Sequence, residues 1–322
     1  MEQLPLAVAA VIGVPAATAG YVVLAERLIE MLPDRRRRAV RPWVWLAPAL
    51  LLLAVFLVYP ALQTLWVSLR DASSVNFVGL ENYIYVFGDS VMLIALRNNV
   101  IWLVFFTGVT VALGLLIAVL SDRVPYEGIA RAVVFLPMAI SFVAAGVIWK
   151  FMYDYRPPGL PQTGTLNAVL TALGFEPQAW LINTPTNNLA LIAVAVWTWT
   201  GFCVVILSAA LKGIPDEVLE ASRVDGANEW QIFRYVILPL ISPTVAVVTT
   251  TMIIFALKAF DIVYVMTNGN FDTEVIANRM YKEMFNFRHF GRAAAIAVVL
   301  LLAIVPVMLM NIRRFRFQEE TR

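Results

Sequence analysis

Long apolar blocks alternate with short polar segments along this 322-residue chain. Each block is about 20 residues long, which is the length that a helix needs to cross a hydrocarbon core about 30 Å thick. A membrane-spanning helix satisfies its backbone hydrogen bonds internally, so the pattern predicts an all-α, polytopic membrane protein. We predict seven transmembrane spans, at residues 4–26, 43–69, 98–121, 129–153, 188–211, 241–267 and 292–312.

The composition supports a membrane protein. Hydrophobic residues make up 61% of the chain and charged residues only 14%, whereas a soluble domain of this length covers its surface with far more charge. The net charge of +2 is nearly balanced and gives no reason to expect a nucleic-acid partner. The first apolar block is long and lacks the basic start of a signal peptide, so we expect a retained helix.

Basic residues are concentrated beside the first and the last of these spans. The two clusters are Arg35, Arg36, Arg37, Arg38 and Arg41, and Arg313, Arg314 and Arg316. Basic loops stay on the cytoplasmic side of a cell membrane, so the amino terminus is predicted outside and the carboxyl terminus in the cytoplasm. Four basic residues in a predicted outer loop argue mildly against this orientation, namely Arg279, Lys282, Arg288 and His289. Three acidic residues of the same loop reduce its net positive charge, namely Asp272, Glu274 and Glu283.

The polar segment from residue 212 to 239 is built to fold, and it lies on the predicted cytoplasmic side. Pro215 suits a first helical position, and Asp225-Gly226 ends that helix with a residue that readily takes positive φ. Asn228 can cap a second helix, with Gln231 placed to complete a capping box. A plain connection between two spans needs less structure, so the segment is interpreted as a docking surface.

The same segment resembles the EAA loop of bacterial ABC importer permeases, in which E-A-A is followed by G at a fixed offset and by I-x-L-P. The matching residues are Glu220-Ala221-Ser222, Asp225-Gly226-Ala227, and Val236, Leu238 and Pro239. Ser222 for alanine and Val236 for isoleucine are small departures. The D-G-A form is the variant of carbohydrate importers, and the resemblance is closest to maltose-type and α-glucoside permeases.

The resemblance implies a type I ABC importer permease core. Residues 43–316 would form the permease domain with a coupling loop at 212–239, residues 1–42 an extra transmembrane helix with a basic linker, and residues 317–322 a cytoplasmic tail. It also implies four partner chains, namely a second homologous permease, two ATPase subunits and an extracytoplasmic sugar-binding protein.

In such importers the loop forms a coupling helix that sits in a cleft of the ATPase subunit. The resemblance therefore implies that Glu220 makes a salt bridge or a capping contact at that joint, and that Gly226 supplies a tight turn and a close approach. Without the resemblance, Glu220 is equally well a solvated surface charge.

The fifth span carries the first candidate wall of a substrate site. Trp197, Trp199 and Gly201 place aromatic rings beside a glycine, which suits the C–H face of a pyranose in an apolar pocket. An interfacial aromatic belt is the alternative. The similar position of a Trp and a Gly in maltose-type permeases favours the substrate site.

The sixth span carries the second candidate wall. Lys258 and Asp261 are three residues apart, so they are predicted to share one helical face, where they neutralise each other or bind partner groups. A structural ion pair and a sugar contact are both compatible with that spacing. The resemblance implies that Phe255 and Asp261 lie on the turns that line the sugar site, with alanines between them.

No sequence motif for catalysis or nucleotide binding is present. The chain has no G-x-x-x-x-G-K-[ST] phosphate loop, so energy must come from another chain or from an ion gradient. Its single histidine, His289, has no cysteine partner for a metal, and Cys203 in an apolar block is interpreted as a structural thiol. We expect no cofactor on this chain, with ATP and magnesium bound by the ATPase partners.

The resulting prediction is a non-enzymatic permease subunit of an ATP-driven sugar importer in the cell membrane. A di- or oligosaccharide such as maltose, trehalose or sucrose is the expected substrate. The alternatives are an ABC permease for a non-sugar solute and an ion-coupled secondary transporter, although the internal repeats typical of the latter are not found.

Overall fold

A computed structural model describes the backbone of residues 3–122 and 124–320, while the side chains of residues 3–12, 14 and 310–320 lie outside the description. The predicted basic cluster after the last span, from Arg313 to Arg316, is among these side chains. The helices are α1 (Gln3–Glu30), α2 (Asp34–Leu53), α3 (Tyr59–Val67), α4 (Glu81–Gly88), α5 (Ser90–Ile101), α6 (Thr107–Ser121), α7 (Glu127–Phe135), α8 (Phe142–Met152), α9 (Thr165–Ala172), α10 (Thr186–Lys212), α11 (Asp216–Val224), α12 (Glu229–Ile232), α13 (Leu238–Leu257), α14 (Asp261–Met266), α15 (Ile276–Tyr281) and α16 (Phe290–Glu320).

Three pairs of these helices are joined end to end by a single wide π-helical turn, at Ala54–Val58, Trp102–Phe106 and Phe233–Ile237, and a fourth such turn at Lys282–Asn286 extends α15. The first and the third stand just before Pro60 and Pro239. Proline lacks an N–H and its ring clashes with the carbonyl four residues earlier, and a wider turn relieves both problems without breaking the helix. The chain therefore runs through Pro239 as continuous helix.

The membrane-spanning segments agree with the apolar blocks. In the described residues, five helical segments are long and apolar enough to cross a membrane: Asp34–Val67, Ser90–Ser121, Thr186–Lys212, Glu229–Met266 and Phe290–Leu309. The pair α7 and α8 makes a sixth if it is one span. The all-α, polytopic fold is thus confirmed. The first predicted span corresponds to α1, whose side chains are only partly described, so a seventh span stays a prediction.

Two of the predicted spans are interrupted, which corrects the sequence interpretation. The span predicted at 129–153 is bent by 97° between Ala139 and Phe142. A tight 3₁₀ turn at Leu136–Ala139 ends the first half, and the hydroxyl of Ser141 caps the second half by accepting from the Ala144 N–H at 3.2 Å. The prediction of one uninterrupted helix was therefore wrong.

The span predicted at 241–267 breaks between α13 and α14. Lys258 ends α13, and Phe260 has the non-helical angles φ −146° and ψ −65° before α14 begins at Asp261. The prediction that Lys258 and Asp261 share one helical face was therefore wrong. In the part of the chain that the structure describes, the two side chains form no ion pair with each other.

The chain forms two compact units, residues 1–64 and 65–322. In the first unit, α1 and α2 are held together by an ion pair of 2.6 Å between Arg41 and Glu26. In the second unit, α10 is the central helix and packs against α6, α7 and α13. Its Cys203 is fully buried against Gly114 of α6, in accordance with a structural thiol. The predicted domain boundary at residue 43 stays a prediction.

Three of the four basic residues of the predicted outer loop, Arg279, Lys282 and His289, are matched by buried carboxylates. Glu283 is completely buried and lies 2.7 Å from the Arg279 guanidinium and 2.8 Å from His289 Nδ1. The Tyr85 hydroxyl donates to the same carboxylate at 2.8 Å. Burial and this hydrogen bond raise the pKa of Tyr85 to about 12, so the hydroxyl stays a neutral donor. His289 thus has a structural partner, and Lys282 lies 2.7 Å from the buried carboxylate of Glu274.

Replacing Glu283 by alanine should destabilise the second unit by about 3 kcal/mol, because it leaves the Arg279 charge without its buried partner. The change should lower the melting temperature of the detergent-purified chain. Glu81→Ala, which removes an exposed carboxylate from α4, is the control and should leave the melting temperature unchanged. Equal melting temperatures for the two variants would contradict a structural role for the Glu283 cluster.

Candidate functional site

A small cavity of about 60 Å³ lies where the bend before α8 meets the break after α13. It is lined by Trp102, Phe106, Phe142, Ala195, Trp199, Phe255, Lys258, Ala259, Phe260, Asp261 and Ile262. Four of the six residues predicted to contact substrate thus come together here, namely Trp199, Phe255, Lys258 and Asp261. The break after α13 places Lys258 and Asp261 at the cavity, and the bend before α8 adds Phe142.

The walls of this cavity are mainly aromatic. The Trp199 ring centroid lies 3.7 Å from that of Phe255 and 5.4 Å from that of Phe142, with which it is stacked. Phe142 is the first residue of α8, so the bend between α7 and α8 places its ring at the cavity. Such a flat apolar surface can pack against the C–H face of a ring-shaped polar ligand.

The charged groups of the cavity lie at the helix break. Lys258 is exposed and follows the last turn of α13, where the free carbonyl groups favour a cation. Asp261 is half-buried in the first turn of α14, where free N–H groups favour an anion. The helix break therefore explains why two charged side chains lie within an apolar span. It places one positive and one negative group beside the aromatic wall, where both can contact a ligand.

Trp197 and Gly201 lie away from this cavity. Two residues along a helix rotate by about 200°, so Trp197 points away from Trp199. The Trp197 ring contacts that of Trp149 at 5.5 Å and lines an apolar groove of about 670 Å³ between α6, α7 and α10. At Gly201 an added Cβ would stand 2.5 Å from the Val134 carbonyl oxygen, so this glycine lets α7 and α10 approach closely.

A buried asparagine, Asn99, holds the break in place, and the sequence analysis did not identify it. Asn99 of α5 donates to the carbonyls of Ala256 and Leu257 at 3.4 and 3.3 Å, and it accepts from the Ile276 N–H at 2.8 Å. The asparagine therefore ties the end of α13 to the start of α15. The sequence does show an amide side chain within an apolar block. Because a buried polar group in a membrane span needs a hydrogen-bond partner, such an amide indicates a structural contact.

The 212–239 segment folds largely as predicted. The first helix ends at Asp225, and Gly226 follows with φ +82°. Asn228 and Gln231 form the capping box of α12. One detail is corrected, since Pro215 has extended ψ and stands at the cap position, one residue before the first helical residue.

This segment presents an exposed surface with apolar side chains. Val224 is 87% exposed and Trp230 68% exposed. Glu220 is exposed and, within the described residues, has no hydrogen-bond or ion-pair partner. The Ser222 hydroxyl donates back to the Val218 carbonyl at 2.8 Å, so serine replaces alanine here without adding a free polar group.

A cleft of about 390 Å³ opens between the two helices of the segment. It is lined by Ser222, Asp225, Gly226, Ala227, Gln231, Tyr235 and Val236. No atom lies within 4 Å of a Cβ built at Gly226, so this turn faces open space. Where the segment begins, Lys212 forms an ion pair with Glu127, which also binds Arg131 at 2.6 Å. The segment is thus anchored to the first turn of α7.

The chain belongs to the family of binding-protein-dependent transport system inner membrane components, whose family model matches residues 110–315. It is 59% identical over 279 residues, covering 87% of this chain and 100% of the relative, to the osmoprotective compounds uptake permease protein GgtC of Synechocystis sp.. It is 50% identical over 280 residues, covering 87% and 83%, to the alpha-glucoside transport system permease protein AglF of Rhizobium meliloti.

The fold is also similar to a solved structure, that of a bacterial ABC transporter involved in the import of the acidic polysaccharide alginate. The TM-score is 0.70 at 23% identity, with 87% of this chain and 99% of that chain covered. The type I importer permease core and the resemblance to the carbohydrate-importer permeases are thus confirmed. The chain is a membrane-spanning transport subunit.

Proposed function

We propose that this chain is one of two permease subunits of an ATP-driven, binding-protein-dependent importer of a di- or oligosaccharide. An α-glucoside such as maltose, trehalose or sucrose is the leading candidate substrate. The observation that carries the proposal is the aromatic cavity at the helix break, where Trp199 and Phe255 stand beside Lys258 and Asp261. The name of the relative AglF supports the α-glucoside.

A second candidate substrate is an osmoprotective compound of another chemical class. It is supported by the name of the relative GgtC, which is 59% identical to this chain. The aromatic wall favours a ligand with a ring and C–H faces, and therefore a sugar. An ion-coupled carrier does not need an exposed, structured segment such as 212–239.

The 212–239 segment is the proposed coupling element toward an ATPase subunit. The residues assigned to it are Glu220, Ala221, Ser222, Asp225, Gly226, Ala227 and Pro239. Its exposed apolar side chains and its open cleft support docking, since a solvated loop has no need of an 87% exposed valine or a 68% exposed tryptophan. ATP and magnesium would bind the two ATPase partners, and this chain supplies no catalytic residue.

The proposed orientation has the amino terminus outside the cell membrane and the carboxyl terminus in the cytoplasm. It is supported by the arginine cluster from Arg35 to Arg41 beside a span. Six spans separate the two basic clusters if α7 and α8 together cross once, and an even number leaves both clusters on one side. The segment 212–239 then faces the ATPases, and the long loops meet an external binding protein.

The proposed function is tested by purifying the tagged chain with its native partners and measuring ATP hydrolysis in proteoliposomes. Maltose, trehalose or sucrose, presented with the binding protein, should stimulate hydrolysis. Trp199→Leu should remove most of that stimulation while the ATPase subunits still co-purify. Glu220→Lys should reduce the recovery of the ATPase subunits, and Glu176→Lys, which changes an exposed carboxylate in a loop predicted on the opposite side of the membrane, is the control.

The outcomes separate the candidates. Stimulation by a non-sugar osmoprotectant alone would support the second substrate class. Failure of any ATPase subunit to co-purify would contradict the importer assignment and leave an ion-coupled carrier as the alternative. Equal recovery of the ATPase subunits with Glu220→Lys and with Glu176→Lys would remove Glu220 from the coupling element.

A further inference from the structure

Four aromatic rings form a continuous cluster that starts at the edge of the aromatic cavity. Phe260 contacts Tyr264 and Tyr281 with ring centroids 5.2 and 5.4 Å apart, Tyr264 contacts Tyr281 at 5.2 Å, and Tyr281 contacts Phe285 at 4.8 Å. Phe260 itself lines the cavity. We call these four residues the aromatic ladder. It connects the cavity with Phe285, which is 62% exposed.

The ladder is built from two helices that present aromatic residues one turn apart. Phe260 stands just before α14 and Tyr264 lies four residues later within it, while Tyr281 ends α15 and Phe285 lies four residues later in the π-helical turn Lys282–Asn286. Tyr264 remains 39% exposed despite its ring contacts. Tyr264 and Phe285 therefore keep ring surface available for contact with a ligand, with lipid or with a second permease.

The size of the cavity indicates that a sugar extends beyond it. Ligand sites commonly occupy about 300–1,000 Å³, whereas this cavity measures only about 60 Å³. A cavity of this size is too small to enclose a pyranose ring, so a sugar beside Trp199 lies largely outside it, against the rings at its edge. The rings that continue from its edge begin at Phe260.

We propose that the aromatic ladder is an extended binding surface for the further pyranose rings of an oligosaccharide, which it also guides to the cavity. The inference rests on the proposed function. Pyranose C–H faces stack on aromatic rings, and the hydroxyls of Tyr264 and Tyr281 add hydrogen-bonding groups at the two middle positions. The alternative for such rings is an interfacial belt in contact with lipid.

Substitution by leucine separates the two roles, because leucine keeps an apolar side chain for lipid contact and removes the stacking ring. The complete transporter in proteoliposomes is assayed for uptake of methyl α-glucoside, maltose and maltotriose. Tyr264→Leu and Phe285→Leu should each raise the KM for maltotriose about 2- to 10-fold. The KM for methyl α-glucoside should not change, and Tyr264→Trp should keep the wild-type KM for all three sugars.

The matched control is Phe290→Leu. Phe290 is an exposed aromatic residue of the same region, and within the described residues it contacts no other ring. Wild-type KM values in both ladder variants, or an equal rise in KM for all three sugars, would contradict the role proposed for the aromatic ladder. Neither result would contradict the proposed function as a sugar importer. A wild-type transporter that takes up none of these sugars would instead overturn the proposed function, and the ladder with it.

Discussion

Replacing Gly201 by leucine is expected to prevent stable folding of the second unit. A Cβ at this position would lie 2.5 Å from the Val134 carbonyl oxygen and 2.6 Å from the Phe135 Cα. Both are backbone atoms at the end of α7, so α7 and α10 would have to separate. We expect a loss of about 3 kcal/mol or more, measured as a lower melting temperature and a smaller monodisperse fraction after detergent extraction.

Gly108→Leu is the matched control for this prediction. Gly108 lies in α6, within an apolar span, and an added Cβ would meet no atom within 4 Å. The control should therefore extract and melt like the wild type. Gly201→Ala separates the packing role from the predicted substrate contact. A lower melting temperature indicates packing, whereas a higher KM for sugar at an unchanged melting temperature would indicate that Gly201 contacts the substrate.

The positions of the spans could be predicted from the sequence because a helix in lipid needs a long apolar run. The span predicted at 188–211 corresponds to a helix at Thr186–Lys212. The capping box in the 212–239 segment was also predictable, since it depends on two residues three positions apart. These features are local, so neighbouring residues are sufficient to specify them.

The interruption between α13 and α14 could not be predicted because it depends on a distant partner. The end of α13 at Leu257 is bound by Asn99, a residue of α5 that lies 158 positions away in sequence. Periodicity alone cannot reveal such a partner. The separation of Trp197 from Trp199, in contrast, follows from helical geometry, and the sequence could have assigned only one of them to the site.

Replacing Gly226 by proline is expected to abolish coupling to the ATPase subunits while the chain still inserts in the membrane. Gly226 has φ +82°, and its N–H donates to the Arg223 carbonyl at 3.0 Å. Proline fixes φ near −65° and has no N–H, so the turn between α11 and α12 must change. We expect at least a tenfold loss of sugar-stimulated ATP hydrolysis, equivalent to about 1.4 kcal/mol, and poor recovery of the ATPase subunits. Gly226→Ala adds only the strain of positive φ, about 1–2 kcal/mol, and should have a partial effect.

Gly174→Pro is a closely matched control, because Gly174 follows the short helix α9 with the same φ of +82° and donates to the Thr171 carbonyl at 3.1 Å. The same local change is thereby made in a loop predicted on the opposite side of the membrane. If the 212–239 segment docks on the ATPases, Gly174→Pro recovers them at wild-type levels and Gly226→Pro does not. Equal recovery in both variants would mean that the turn at Gly226 is not needed for docking, and that the contact lies elsewhere on the chain.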